Sequence, residues 1–112
     1  MKIVFLVIAI LCFVVSPAYA GKVTGKITHV FSGPGFGTKV FFAMDTEVSE
    51  KPACQINTLY SFALDSQAPG ADAWLSMVYI AYSSGKSVYV EGNGECNHWS
   101  SIEDMTYFRL NP

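Results

Sequence analysis

Few residues of this 112-residue chain are of types that could do chemistry. Cys54 and Cys96 carry thiols that can pair, stay free or ligate a metal. They form no Cys-x-x-Cys, and two lone cysteines fall short of a zinc set. His29 and His98 are the two histidines, and neither has a second ligand at metal spacing beside it. His29 falls on the apolar face of a strand-like run, where a hydrogen-bonded core or rim imidazole is expected. Glu103-Asp104 are adjacent carboxylates. As strand neighbours they would point to opposite faces, so a solvated turn is expected rather than an acid–base pair. Ser32 lacks the flanking glycines of a nucleophile elbow, because Val30 and Pro34 stand there. Gly33-Pro34-Gly35-Phe36-Gly37 would need a glycine in place of Thr38, and a helix after it, to cradle a dinucleotide phosphate. A strand follows instead, so the segment reads as a hairpin turn. No catalytic residue, metal or cofactor is expected.

Aromatic side chains are the other candidates. Trp74, Tyr79 and Tyr82 fall in a helical stretch, and Tyr60, Tyr89 and Tyr107 in strand-like ones. Tyrosine and tryptophan join an apolar body to a polar tip and serve at interfaces. Their flat faces also suit sugar rings. Tyr89 lies opposite in phase to Val88 and Val90, which makes it the expected exposed contact.

Compartment and charge narrow the chemistry. Residues 1–20 read as a secretory signal peptide. Lys2 is the basic start, residues 3–15 form an apolar run, and Ala18-Tyr19-Ala20 predicts cleavage before Gly21. The apolar run is shorter than the roughly 18 residues needed to span a bilayer, so no membrane anchor is expected after cleavage. Residues 21–112 carry six basic and nine acidic side chains, a net of −3. No block of like charge occurs, which argues against nucleic acid and against an anionic membrane surface. Cys12 leaves with the leader, and an even pair in an exported chain reads as a disulfide, with free thiols or half of a metal site as the alternatives.

The elements that must position these residues follow from periodicity. Residues 22–31 alternate, with Val23, Gly25, Ile27, His29 and Phe31 on one face, and Gly25 predicts a bulge or bend. Residues 32–37 turn, and residues 38–44 make a second strand. Residues 45–52 are an exposed loop. Residues 56–64, rich in β-branched and aromatic types, predict a third strand. Residues 71–84 have helical period, with Ala71, Trp74, Leu75, Val78, Ala81 and Tyr82 three and four apart. Gly85 suits the position after the helix. Residues 87–92 and 105–110 are strands four and five. The order β-β-β-α-β-β is that of a five-stranded OB-fold-like Greek-key barrel with one helix between strands 3 and 4. An open α+β sheet is the alternative. The region 21–112 reads as one domain.

Several motifs together resemble a family of small exported bacterial proteins related to the B subunit of subtilase cytotoxin. They are Tyr82-Ser83-Ser84-Gly85-Lys86-Ser87-Val88 at the helix exit, Ala53-Cys54 before strand three, His29-Val30, and Gly92-Asn93-Gly94-Glu95-Cys96. The resemblance spans most of 21–96. It implies an OB-fold, a Cys54–Cys96 bridge, and an exported protein of a Gram-negative bacterium. The toxin subunit forms a pentameric ring that binds sialylated glycans, so a homo-oligomer and a glycan ligand are implied. A main sugar contact there is a serine ahead of the first strand. This chain has no serine at that point, and Thr24 is the nearest hydroxyl.

The expectation is a secreted or periplasmic, non-catalytic binding module that recognises glycans or a cell surface near Thr24 and Tyr89. The alternative is a periplasmic structural protein with a protein partner and no sugar ligand.

Overall fold

The computed structural model describes residues 19–112. The expected leader lies almost wholly outside the described residues, as does Cys12. Five strands and one helix follow in order: β1 (Lys22–Phe31), β2 (Lys39–Met44), β3 (Phe62–Asp65), α1 (Ala71–Ser84), β4 (Ser87–Gly92) and β5 (Met105–Leu110). The strands form one antiparallel sheet in the order β3-β2-β1-β4-β5. A short 3-10 turn at Pro34–Phe36 makes the β1–β2 connection.

β1 holds the two halves of the sheet together. Its first half pairs with β4, from Lys22 opposite Glu91 to Lys26 opposite Ser87. Its second half pairs with β2, from Ile27 opposite Met44 to Phe31 opposite Phe41. The register slips between Ile27 and His29. The extra residue flips the alternation, as a bulge does. Val30 then packs against the main core, while His29 turns to solvent. The expected core or rim place for His29 is thus corrected. Gly25 is not the bulge. It is where the corner after β2 crosses β1: Lys26 N donates to Asp45 Oδ1 at 2.8 Å, and a β-carbon at 25 would stand 2.7 Å from Thr46 Oγ1.

The third strand is shorter and later than its β-rich composition predicts. Residues 56–61 are irregular, and Ile56 and Leu59 are 73 % and 60 % exposed. The cause is a side chain competing for the backbone. Asn57 Oδ1 accepts from Leu59 N at 2.9 Å and from Tyr60 N at 2.8 Å. Gln55 Nε2 donates to the carbonyls of Asn57 and Tyr60.

The helix keeps its expected span and ends at Gly85, whose φ of 67° favours glycine. Ala71, Val78 and Ala81 are buried, and Trp74, Leu75 and Met77 pack beside them. Tyr82, placed on the apolar stripe by spacing, is 50 % exposed instead. The helix lies against β1 and β5. Phe42, Phe62 and Phe108 form the aromatic centre of the main core, with ring centroids 5.6 and 6.1 Å from Phe42. Burying each such ring contributes about 1.5–3 kcal/mol.

β2 reads as an almost unbroken apolar run because both its faces are covered. Val40 and Phe42 face the main core, while Phe41 joins Ala63 and Ile102 in a second, smaller one. The edges of the sheet, β3 and β5, share no ladder. One parallel bridge joins Ala63 to Asp104 just before β5, and Ala63 N donates to the Glu103 carbonyl at 2.9 Å. Cys54 and Cys96 are joined by a disulfide with Cα atoms 6.1 Å apart. It ties the segment before β3 to the turn after β4, and it points to an oxidising compartment, extracellular or periplasmic. No helix among the described residues is long and apolar enough to cross a membrane.

Candidate functional site

Thr24 and Tyr89 are direct partners across the β1–β4 ladder. Opposed residues of an antiparallel pair point to the same face. Their neighbours Val23 and Val90 oppose each other too, and both are buried. Thr24 and Tyr89 therefore lie on the outer face, as β4's alternation predicts. The same registers carry the row on to Arg109, which opposes Tyr89 from β5, and place Tyr107 opposite Glu91 and Glu91 opposite Lys22. Lys26 stands opposite Ser87. The outer face of β1, β4 and β5 is thus a shallow, mixed surface. It has two tyrosines at its middle, three cationic side chains and one glutamate.

Its internal geometry is organised. The Arg109 guanidinium lies 4.8 Å from the centroid of the Tyr89 ring, a cation–π distance. Tyr89 and Tyr107 meet edge to face at 6.0 Å. The Tyr89 hydroxyl donates to Glu91 Oε1, and that bond, more than any burial, raises the phenol above its ordinary range. Tyr89 is consequently half-buried, one face under Arg109, whereas Tyr107 is 44 % exposed. Tyr107 is the freer aromatic surface, ahead of the Tyr89 that the alternation of β4 singles out. The signal available was its phase: Phe108 is inward, and Tyr107 and Arg109 flank it.

The adjacent carboxylates are not a solvated turn. Glu103 and Asp104 are 0 % and 2 % exposed. The Glu103 carboxylate accepts from Gly94 N at 2.8 Å and from Gly21 N at 3.0 Å. The Asp104 carboxylate accepts from Asn97 N and His98 N, each at 2.9 Å, and from Asn93 Nδ2 at 3.2 Å. Glu103 and Asp104 lie just before β5, outside any strand, and each carboxylate holds loop backbone instead of meeting water. Burial pushes the Glu103 carboxyl above the usual carboxylate range, against the pull of its amide donors. Both carboxylates are buried and held by backbone amides, out of reach of the substrate that a proton-transferring carboxyl would need.

His98, half-buried beside Asp104, and exposed His29 lie on different elements. Among the described residues no three His, Cys, Asp or Glu side chains converge as metal ligands would. A shallow cavity of about 280 Å³ lies between residues 44–48 and 55–61. Asp45 and Glu47 line it, with Lys51 already paired to Glu47 at 3.3 Å. Neither Thr24 nor Tyr89 reaches it. A second aromatic group, Phe31, Phe36, Phe41, Tyr60 and Trp99, packs around the smaller core, with Phe31 and Trp99 each 36 % exposed. Comparison with family models, with curated proteins and with solved structures finds no match.

Proposed function

We propose that this is an exported, non-catalytic binding module that recognises acidic glycans on the outer face of β1, β4 and β5. The chain enters the periplasm or the exterior through its leader, is cut before Gly21, and forms the Cys54–Cys96 bond there. The five strands and the parallel bridge at Ala63–Asp104 support an OB-type barrel, with β1 bent between its two halves.

The observation that carries the reading is the registration of Thr24, Tyr89 and Arg109 in one row, with Tyr107 beside it. A sugar ring stacks on an exposed aromatic face, here Tyr107. A sugar carboxylate pairs with a guanidinium, which presents planar forked donors to it. A threonine hydroxyl both donates to and accepts from ring hydroxyls. Of the two lysines on this face, Lys22 is already paired with Glu50 at 3.8 Å, so Arg109 is the cation that would meet the sugar carboxylate. No metal or cofactor enters this recognition. The test is a glycan array probed with the folded, oxidised protein. Binding confined to carboxylate-bearing glycans is the expected result, and an array without hits contradicts it.

A second reading, a protein-interaction module with no sugar ligand, is favoured by the helix. Tyr79, Ile80 and Tyr82 are each about half exposed on its outer side, at 49 %, 51 % and 50 %. It predicts a co-purifying protein whose release follows substitution of these three residues and not of Arg109. A homo-oligomer is the partner state to test alongside it, by native mass spectrometry.

A further inference from the structure

Glu103 sits where the polypeptide enters the sheet, and its carboxylate is 0 % exposed. Both of its oxygens reach a single nitrogen: Gly21 N stands 3.2 Å from Oε1 and 3.0 Å from Oε2. Gly94 N adds a third contact, 2.8 Å from Oε2. The space for this carboxyl is made by missing side chains. A β-carbon at Gly92 would overlap the carboxyl carbon. One at Gly21 would overlap Oε1 and lie 2.6 Å from Val48 Cγ1. Residue 21 is itself fixed, because its carbonyl accepts from Gly92 N at 2.9 Å.

The charge balance of this cradle is incomplete. A buried carboxylate is costly without a counter-charge. Among the described residues no lysine, arginine or histidine is in ion-pair contact with Glu103. The ionisable neighbour is Asp104, of the same sign. The nitrogen that both oxygens reach is that of Gly21, before which the Ala18-Tyr19-Ala20 pattern predicts cleavage. An amide there has one hydrogen to divide between two oxygens. An α-ammonium has three donors and a positive charge.

Resting on the export and cleavage just proposed, we infer that removal of residues 1–20 creates the missing cation: the α-ammonium of Gly21 closes a buried ion pair with Glu103. Hydrolysis of the Ala20–Gly21 peptide bond consumes one water. It leaves a carboxylate on Ala20 and an amine on Gly21, which takes a proton at neutral pH. The folded domain is built around its processed terminus. Gly21 is required there because a side chain would fill the space of the carboxyl on which the new charge lands.

The experiment begins with the intact mass of the exported protein. A terminus at any residue other than Gly21 overturns the ion pair and the cleavage reading together, and leaves the glycan-binding face untouched. With the mass of 21–112 in hand, urea unfolding at pH 7 compares that chain with one retaining Ala20, each with Glu103 and with Glu103→Gln. Retaining Ala20 is expected to lower the folded-to-unfolded ratio about tenfold or more, the scale of a charge-assisted bond lost in a buried site. Glu103→Gln is expected to lower that ratio about tenfold more in 21–112 than in 20–112. Equal effects in both chains overturn the proposal. A readout independent of the variant's folding is the Gly21 amine itself. Its pKa, from the pH dependence of reductive methylation in the folded protein, is expected to lie at least about one unit above the usual range of about 7.7–8.0. An ordinary value overturns it.

Discussion

Arg109 is the residue on which the recognition reading turns. It caps Tyr89 at 4.8 Å and offers the forked donors that a carboxylate needs. Arg109→Ala is expected to weaken binding of an acidic glycan about 10- to 100-fold, the scale of about 1.5–3 kcal/mol for a hydrogen bond to a charged group. The unfolding midpoint should barely move, since Arg109 is exposed. Titration calorimetry beside urea unfolding separates the two. Glycine 92 makes the opposite kind of prediction. Gly92→Ala would drive a β-carbon into the Glu103 carboxyl. It is expected to cost about 1–3 kcal/mol or more by overpacking, read from the urea midpoint, while a folded fraction still binds. Single residues were unevenly legible in the sequence. The outward phase of Tyr89 followed from Val88 and Val90. The burial of Glu103 did not, because its partners are backbone amides of Gly21 and Gly94, which are 82 and 9 residues away. Backbone donors leave no mark in composition.

At the scale of elements, periodicity carries far where one face is buried and the other is wet. β1, α1, β4 and β5 stand at their expected spans, and β2 starts one residue later, at Lys39. Periodicity failed at 56–61, where Asn57 and Gln55 side chains take the hydrogen bonds a strand would use. It also failed past Ile27, where one extra residue moves His29 outward. Two elements are fastened in ways that can be measured. Lys39 and Asp65 are opposed across β2–β3 and bonded at 2.9 Å, and the lysine ammonium holds the Asp65 carboxyl well below its usual value of 3.8. A carboxyl depressed in the folded state contributes stability that is present above its unfolded pKa and lost as pH falls below it. The wild-type urea midpoint should therefore drop as pH falls below about 4, and Asp65→Asn should flatten that part of the profile. The Cys54–Cys96 bond closes a separation of 42 residues. Reducing it, or replacing both cysteines by alanine, should cost about 4 kcal/mol in the chain-entropy model, read as a lowered urea midpoint. In a domain this small that is a large part of the total.

For the whole molecule, the sheet order and the single bridge between its edges enclose both cores, turn one face of the helix onto them, and leave the β1-β4-β5 face and the helix's other face open. That separation divides the rival functions by location: acidic glycans at Arg109 and Tyr107, a protein partner at Tyr79 and Tyr82. The most direct measurement is an NMR titration of the folded, oxidised protein with a sialylated trisaccharide, following backbone amides. Shifts concentrated at Thr24, Tyr89, Tyr107 and Arg109, and abolished by Arg109→Ala, are the expected result. Shifts confined to residues 44–61 or to the helix, or no shifts at millimolar sugar, would contradict it.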